Sequence, residues 1–313
     1  MVLDFKYTKM AIKNILITGC GGMLGSAMYP HMKSRGHNVM ATDIDLNENW
    51  LSLLDVREFE KSREIARKFK PDIILHLAAL TSLEYCEDHP DESYRTNFLG
   101  TVNMARICKE LDIPMVYIST AGVFDGKKDS YTEKDFPNPI NVYGRTKFYG
   151  EIGVENMLSK YFITRAGWMV GGGKKDHKFV SYMVKQAKEG NHEFNVVNDK
   201  FGTPTYTKDF ARNLEALFNT ENYGKYHMVC EGNGHRADIA RHILDTLGIE
   251  YNMNEVSSDF FNKQFPVARP RCEILINENL KSINLNLMRS WKPAIDDYLQ
   301  DQWPDLISKT GKK

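Results

Sequence analysis

Short apolar runs alternate with longer segments of helical spacing along the first half of the chain. The runs at 13–18, 38–42, 72–77, 115–118 and 161–165 predict strands. Helical spacing predicts helices that end near Arg35, cover 59–69 and about 92–111, and begin near Tyr143. Because the strand runs are apolar throughout, they fit a parallel sheet with helices on both faces. The pattern therefore predicts an α/β fold, a Rossmann-type doubly wound parallel sheet.

The pattern changes after Trp168, where the polar loop Gly171-Gly172-Gly173 precedes shorter elements. We expect a smaller C-terminal α/β lobe that binds substrate, made of residues 168–199 and 225–303. Residues 11–167 form the expected NAD(P)-binding Rossmann domain, to which the chain returns over 200–224. A helix at about 207–218 belongs to this return, with Thr207 as its predicted N-cap.

A glycine-rich turn joins the first predicted strand to the first predicted helix. Its spacing is Gly19-x-x-Gly22-x-x-Gly25, with Met23 and Leu24 between the last two glycines. Glycines let the backbone approach a pyrophosphate closely, and the free N–H groups of the helix N-terminus attract the anion. The order strand, turn and helix favours a dinucleotide site over an ordinary loop.

Residues at the ends of later strands extend this prediction. Asp43 ends the second strand, where its carboxylate would accept both ribose hydroxyls of NAD and repel the 2′-phosphate of NADP. No Arg lies between Gly36 and Val56 to attract that phosphate, so NAD(H) is favoured and NADP(H) is the alternative. Asp55 and Val56 could meet the adenine, although a helix N-cap explains Asp55 equally well. Small residues after the third long strand would let the cofactor lie close to the backbone: Leu77, Ala78 and Ala79.

Tyr143 and Lys147 are four residues apart and therefore share one face of a helix. A free tyrosine has a pKa of about 10, and a neighbouring ammonium ion lowers it toward neutrality. The same spacing recurs at Tyr29 and Lys33, so spacing alone does not decide the role. The context does, because the strand before Tyr143 ends in Thr120, whose hydroxyl could bind the oxygen that Tyr143 protonates. We predict that Tyr143 and Lys147 handle a proton and that Thr120 holds a substrate carbonyl.

Composition and charge exclude several functional classes of protein. The 313 residues include 41 basic and 41 acidic ones. The chain therefore lacks the excess of positive charge that is typical of proteins that bind nucleic acids or acidic membrane surfaces. No run of 18 apolar residues predicts a membrane span, and residues 1–13 lack the apolar core of a signal peptide. Five scattered cysteines without Cys-x-x-Cys or zinc-finger spacing favour a reduced cytoplasmic setting, and no metal site is expected.

Several motifs together resemble an extended short-chain dehydrogenase/reductase. These are the glycine-rich loop, Asn97 in Asn-Phe-Leu-Gly-Thr, the Ser-Thr strand end with the Val-Phe-Asp-Gly that follows, and Asn-Val-Tyr-Gly-x-Thr-Lys ending at Lys147. Arg165-x-x-Trp168, the stretch 197–205, Tyr-His-Met-Val at 226–229 and Ala-Arg-Pro at 268–270 resemble the dTDP-4-dehydrorhamnose reductase branch. The resemblance extends from about residue 12 to 303.

The resemblance implies reduction by NAD(P)H of the C4 ketone of a 4-keto-6-deoxy sugar nucleotide, with Tyr143 as the proton donor. It implies a catalytic set of Thr120, Tyr143 and Lys147, with Asn97 among the cofactor-binding residues. For the sugar nucleotide it implies contacts from Thr120, Tyr143, Trp168, Phe201 and Arg269. A homodimer is compatible with it.

One departure from the family concerns the two residues after the Thr of the catalytic set. The family usually has Asp-Tyr there, whereas this chain has Ala121-Gly122, which predicts a different sugar because specific hydrogen bonds are lost. Two alternatives stay open. One is an NAD-dependent sugar-nucleotide 4-epimerase, which uses the same residues and recycles the hydride. The other is a non-catalytic regulatory subunit that binds a dinucleotide, as the regulatory subunit of methionine adenosyltransferase does.

Overall fold

Seven parallel strands form the central sheet of the computed structural model, which describes residues 11–307. These strands are β1 (Asn14–Thr18), β2 (Asn38–Asp43), β3 (Leu51–Leu53), β4 (Ile73–His76), β5 (Met115–Thr120), β6 (Tyr161–Ala166) and β11 (Gly224–His227). Their order across the sheet is β11-β6-β5-β4-β1-β2-β3, and every neighbouring pair is parallel. The α/β prediction is therefore confirmed. The prediction about a signal peptide concerns residues that lie mainly outside the described range.

Helices cover both faces of this sheet because alternate strand residues point in opposite directions. Ile15 and Ile17 of β1 face one apolar cluster, and Leu16 between them faces a second one. The helices of the sheet domain are α1 (Gly25–Ser34), α2 (Phe59–Phe69), α3 (Leu83–Asp88), α4 (Pro90–Ser93), α5 (Gly100–Leu111), α6 (Val142–Met157) and α8 (Thr207–Phe218). Helices α1 and α8 pack together on the first face, while α2, α5 and α6 pack on the second.

The rest of the chain forms smaller elements beyond the carboxyl ends of the central strands. Its strands are β7 (Trp168–Val170), β8 (Glu193–Val197), β9 (Phe201–Gly202), β10 (Pro204–Tyr206), β12 (Gly234–His235), β13 (Asn252–Val256) and β14 (Cys272–Glu273). Its helices are α7 (Phe179–Lys188), α9 (Arg236–Thr246), α10 (Glu278–Ser282), α11 (Trp291–Gln302) and α12 (Pro304–Ile307). The strands pair as β10-β7, β12-β9-β14 and β13-β8. Within residues 11–307, every helix is too short or too polar to cross a bilayer.

The structure differs from the predicted elements at five places. Strand β3 and helix α3 were not expected, because each is too short to show a clear periodicity. The helix expected over about 92–111 contains a π-helical segment, Tyr94–Leu99, between α4 and α5. The prediction of Thr207 as an N-cap is wrong, since Tyr206 takes that position and α8 begins at Thr207. Strand β11 adds Gly224–His227 to the central sheet, and the division into two domains stays a prediction.

A buried ion pair connects β6 to α6. The Arg165 guanidinium donates from Nε to Glu151 Oε1 at 2.8 Å and from one terminal nitrogen to Oε2 at 2.6 Å. The Ser119 hydroxyl donates to the same carboxylate at 2.5 Å, which also connects the end of β5 to α6. Both charged side chains are at most 1% exposed. Removing one member of such a pair leaves an uncompensated charge in the interior, which is far more costly than losing a surface pair.

We expect Glu151→Gln to lower the free energy of unfolding by about 3–5 kcal/mol, because Arg165 stays charged and buried. The matched control is Glu155→Gln, one turn further along α6, where the carboxylate pairs with Lys225 and both side chains are 30% exposed. That control should lose less than about 1 kcal/mol. Urea unfolding of the two variants beside the wild type measures both values, and equal losses would contradict the importance of the buried pair.

Candidate active site

The carboxyl end of β5 and the first turn of α6 meet at one point. Asn141 caps α6, since its side-chain oxygen accepts the N–H of Gly144 at 2.8 Å. Gly144 packs directly on the backbone of Gly122, and a Cβ at position 144 would lie 2.2 Å from the Gly122 carbonyl oxygen. This close approach, which only glycine allows, brings Tyr143 of α6 beside Thr120 at the end of β5.

Burial is the main influence on the Tyr143 phenol. It raises the pKa of Tyr143 to about 12, while a hydrogen bond from the Thr120 hydroxyl acts in the opposite direction. The expectation that Lys147 lowers this pKa toward neutrality is therefore wrong for the protein without ligands. The reason is that desolvation of the phenolate, to which the charges of Cys86 and Glu273 add, outweighs the hydrogen bond from Thr120. Tyr143 is a protonated phenol across the neutral range, in the form that a proton donor requires.

Lys147 lies one turn further along α6 and is 2% exposed. Its ammonium stands 4.2 Å from the centre of the Tyr117 ring. Burial lowers the pKa of Lys147 to about 7, although the Glu151 carboxylate partly restores it. An ordinary lysine is charged at neutral pH, whereas this side chain changes its charge there. Lys147 is thus able to take up and release a proton near neutrality.

The glycine-rich turn has the close packing that its sequence predicts. Gly19 has a φ of +68°, and a Cβ at this position would lie 2.3 Å from the Cα of Ala78. A Cβ at Gly25 would lie 2.0 Å from the carbonyl oxygen of Cys20. Within residues 11–307, the N–H groups of Gly22, Met23 and Leu24 donate no hydrogen bond. These groups precede α1 and are available to an anion.

Asp43 lies at the end of β2 beside this turn. Its carboxylate accepts the N–H of Gly21 at 2.8 Å and the N–H of Asp45 at 3.1 Å. Lys175 approaches the same region, with its ammonium 3.1 Å from the side-chain oxygen of Asn47 and 3.0 Å from the Glu48 carboxylate. The structure therefore brings Asp43 to the phosphate turn, as predicted, and adds a cation that the sequence argument did not consider.

Two other residues predicted to bind the cofactor have structural partners. The Arg57 guanidinium donates to both oxygens of Asp55 and lowers the pKa of that carboxyl. Asp55 is not a helix N-cap, because α2 begins at Phe59 after Glu58. Val56 is 4% exposed and belongs to the apolar core below the sheet.

Asn97 is fully buried in the π-helical segment. Its side-chain oxygen accepts the N–H of Leu80 at 2.7 Å, and its amide donates to the carbonyl of Leu80 at 2.9 Å and to the Thr146 hydroxyl at 3.0 Å. It therefore ties the loop that contains Leu77, Ala78 and Ala79 to helix α6. In this structure Asn97 positions the loop and has no free polar atom for a ligand.

The smaller elements supply a second wall. The Trp168 indole donates to Glu273 Oε2 at 2.8 Å, and the Arg236 guanidinium carbon lies 3.6 Å from the centre of the indole ring. Arg269 donates to Glu84 of α3 at 2.5 Å. Phe201 does not join this group. It precedes Gly202 in β9, and because Gly202 contacts Trp168, the Phe201 side chain points to the opposite face.

The sequence argument missed Glu273 and Arg236. Burial is the largest cause of the pKa shifts of Tyr143, Arg236 and Glu273, yet all three side chains keep some solvent-accessible surface. The charge of Glu273 acts on both Tyr143 and Arg236, so the three side chains lie close together at a partly open site, called the recess below. The available signals were a charged residue in a short strand soon after Arg269-Pro270 and a basic residue at a helix start. In the described part of the chain, no group of three His, Cys, Asp or Glu is arranged to hold a metal.

Comparisons with known proteins agree with this arrangement over most of the chain. A family model described as the RmlD substrate binding domain matches residues 13–303. The chain is similar to the spore coat polysaccharide biosynthesis protein SpsK of Bacillus subtilis, with 31% identity over 289 residues, covering 92% of this chain and 97% of that protein.

Two solved structures are also similar to the chain. One is a dTDP-4-dehydrorhamnose reductase from Clostridium acetobutylicum, with 32% identity and a TM-score of 0.84, covering 92% of this chain and 98% of the other. The second is a dTDP-4-dehydrorhamnose reductase from Bacillus anthracis in complex with NADP. It has 30% identity and a TM-score of 0.86, covering 93% of this chain and 100% of the other.

We expect Lys147→Met to stabilise the ligand-free protein by about 2–4 kcal/mol at pH 7, because burying the ammonium disfavours the native state. The pKa of Lys147 falls from 10.5 to about 7 on folding, so this cost is complete below pH 7 and disappears as the pH rises to 10.5. Urea unfolding between pH 7 and 10 measures the difference between variant and wild type. Lys185→Met, which changes a side chain that is 71% exposed, is the control. A wild type as stable as Lys147→Met at pH 7 would contradict the argument.

Proposed function

The chain belongs to the RmlD substrate binding domain family, and from this premise we propose that it is an NAD(P)H-dependent reductase of a sugar nucleotide. Its reaction is the reduction of the C4 ketone of a 4-keto-6-deoxy sugar linked to a nucleoside diphosphate. The observation that carries the proposal is the protonated Tyr143 phenol beside the Thr120 hydroxyl, at the sheet edge that also bears the glycine-rich turn. Both similar solved structures are named dTDP-4-dehydrorhamnose reductase.

The proposed roles follow from the chemistry of each side chain. A bound nicotinamide dinucleotide supplies the hydride that the carbonyl carbon receives. Tyr143 donates its phenolic proton to the carbonyl oxygen, and Thr120 donates a hydrogen bond to the same oxygen as negative charge develops there. Lys147 stabilises the resulting phenolate and returns a proton to it, which its pKa of about 7 permits.

Residues around the glycine-rich turn are proposed to hold the dinucleotide. The free N–H groups of Gly22, Met23 and Leu24 would bind the pyrophosphate, while Gly19 and Gly25 keep the backbone close enough. The loop of Leu77, Ala78 and Ala79, held by Asn97, would form the floor of the site. Asp55 and Val56 have weaker support, because one is paired with Arg57 and the other is buried.

We propose NADH as the preferred reductant. The Asp43 carboxylate holds the turn through Gly21 and lies where the adenosine ribose would bind, so a 2′-phosphate would meet a negative charge. The nearby cation Lys175 is 3.0 Å from the Glu48 carboxylate, which neutralises it. The similar protein of Bacillus anthracis was solved with NADP, so the preference is a proposal for this chain alone.

The same reasoning divides the chain between two tasks. Residues 11–167 and 200–224 are proposed to bind the dinucleotide, and residues 168–199 and 225–303 to bind the sugar nucleotide. Trp168 and Arg269 are the proposed substrate contacts in the second part, whereas Phe201 is not supported by its orientation. The five buried thiols support a cytoplasmic location, and a homodimer is compatible with the fold.

We expect Tyr143→Phe to lower kcat by about 100- to 10,000-fold, because the proton donor is lost while the ring is kept. The assay is the absorbance of reduced nicotinamide with a panel of NDP-4-keto-6-deoxy sugars. Binding of NADH, measured by fluorescence titration, should be preserved. Tyr149→Phe, in which an exposed phenol of the same helix is changed, should keep wild-type activity. If the wild type oxidises no reduced nicotinamide with any of these sugars, the reductase proposal fails.

We expect Asp43→Asn to lower kcat/KM for NADH by about 10- to 100-fold, because charged hydrogen bonds to the ribose are weakened. The amide oxygen still accepts the N–H of Gly21, so the turn is retained. The ratio of kcat/KM for NADPH to that for NADH should rise. Asp45→Asn, in the exposed part of the same loop, is the control. A wild type that uses NADPH better than NADH would overturn the preference.

A further inference from the structure

The recess beside Tyr143 lacks polar side chains on the loop that follows Thr120. Ala121 is 1% exposed, and Gly122 has no side chain at all. A Cβ at Gly122 would lie 3.4 Å from the Thr120 hydroxyl oxygen and 3.8 Å from a ring carbon of Tyr143, with no closer neighbour. Ala121 and Gly122 therefore offer a sugar ring no hydrogen-bonding side chain. Polar groups that distinguish one sugar from another have to come from a different element.

The small sheet β12-β9-β14 supplies such a group, Glu273, near Tyr143. Glu273 of β14 pairs with Gly202 of β9, and Gly202 pairs with Gly234 of β12. Because both neighbouring positions are glycine, Glu273 is the only one of these three paired residues with a side chain on this face. Trp168 lies directly on Gly202, where a Cβ would come within 2.3 Å of the indole.

The two carboxylate oxygens of Glu273 differ in their hydrogen bonds. Its Oε2 accepts the indole N–H of Trp168 at 2.8 Å. Its Oε1 accepts no hydrogen bond from residues 11–307, and the side chain is only partly buried. Because this oxygen keeps some solvent-accessible surface, it is available to accept a hydrogen bond from water or from a ligand.

Arg236 supports the charge of this carboxylate. Its guanidinium carbon lies 3.6 Å from the centre of the Trp168 ring and 5.0 Å from that of Phe179. The guanidinium makes no hydrogen bond with the described residues; burial raises the pKa of Glu273, and the positive charge of Arg236 acts in the opposite direction. Arg236 is also the first residue of α9, where the helix dipole disfavours a cation. Burial and the position at the helix start both disfavour the Arg236 cation, which points to a role in the recess and not in the stability of the fold.

The carboxylate also lies within electrostatic range of the reacting atoms. Burial is the main cause that raises the pKa of the Tyr143 phenol, and the negative charge of Glu273 adds to it, so the carboxylate and the proton donor lie near each other. A sugar ring whose ketone oxygen meets Tyr143 would therefore present its neighbouring hydroxyl groups toward Glu273. Trp168 would provide the apolar surface against which the ring packs.

We propose that Glu273 determines sugar specificity: its free Oε1 accepts a hydrogen bond from a ring hydroxyl at C3, next to the reacting ketone, or at C2, one carbon further along the ring. Trp168 orients the carboxylate, and Arg236 balances its charge. This proposal rests on the proposed reductase function and names the group that recognises the sugar. It assigns the recognition of sugar hydroxyls to the second lobe, because Ala121 and Gly122 after Thr120 have no side chain that could do so.

The test compares substrates with and without each hydroxyl. The probes are the NDP-4-keto-6-deoxyhexose that the wild type reduces and its 3-deoxy and 2-deoxy analogues, assayed with NADH. The wild type should discriminate against one analogue by about 10- to 100-fold in kcat/KM, the size expected for a hydrogen bond to a charged acceptor. In Glu273→Ala this discrimination should shrink to within about threefold. The loss should fall on the hydroxylated substrate alone, and turnover of the deoxy analogue should change little.

Two further variants keep the result interpretable. Glu273→Gln retains an oxygen for the Trp168 indole, and it should show reduced discrimination with an unchanged melting temperature. Glu255→Ala changes a carboxylate of β13 that pairs with Arg241 on the outside of the same lobe, and it should behave as the wild type does. Equal losses for hydroxylated and deoxy substrates in Glu273→Ala and Glu273→Gln would overturn the proposal. Absence of reduction by the wild type would instead refute the reductase function itself.

Discussion

The candidate site depends on the desolvation of the Tyr143 and Lys147 side chains at the carboxyl end of the central sheet. This desolvation raises the pKa of Tyr143 to about 12 and lowers the pKa of Lys147 to about 7, so that of these two side chains Lys147 changes its charge near neutrality while Tyr143 stays protonated. A free lysine does not have this property. The sheet creates it by burying the first two turns of α6 against β5, and Glu151, paired with Arg165, keeps one compensating charge beneath the lysine.

Close backbone packing brings the parts of the site together. Glycines at 19, 25 and 144 each allow an approach that a Cβ would block, and buried amides then fasten the loops. Asn97 ties the loop after β4 to α6, and Asn141 ties the start of α6 to Ala268 in the second lobe. The ion pair between Arg269 and Glu84 adds a second connection between the sheet domain and the smaller elements. Because these contacts fix backbone positions, small shifts there would move the reacting groups.

The two lobes contribute different chemistry to one recess. The sheet domain supplies the proton-handling residues and a turn suited to a pyrophosphate, and both are features that many reductases could share. The smaller lobe supplies Glu273, Arg236 and Trp168, whose arrangement depends on three short paired strands. A carboxylate next to an indole and a guanidinium can recognise the positions of hydroxyl groups on a sugar by accepting hydrogen bonds from them. This division allows the sugar to change while the reaction stays the same.

Most strands of the central sheet, the glycine-rich turn and the grouping of Thr120 with Tyr143 and Lys147 could be predicted from the residues alone. Apolar periodicity and local spacing report contacts between residues that are close along the chain, and those patterns were strong. Three other features became visible in the folded chain: the raised pKa of Tyr143, the support that Asn97 gives to a loop, and the orientation of Phe201 away from Trp168. The tertiary structure also brought Glu273 to Trp168 across 105 positions of the chain. Desolvation and strand register arise from long-range packing, and no local pattern of residues carries that information.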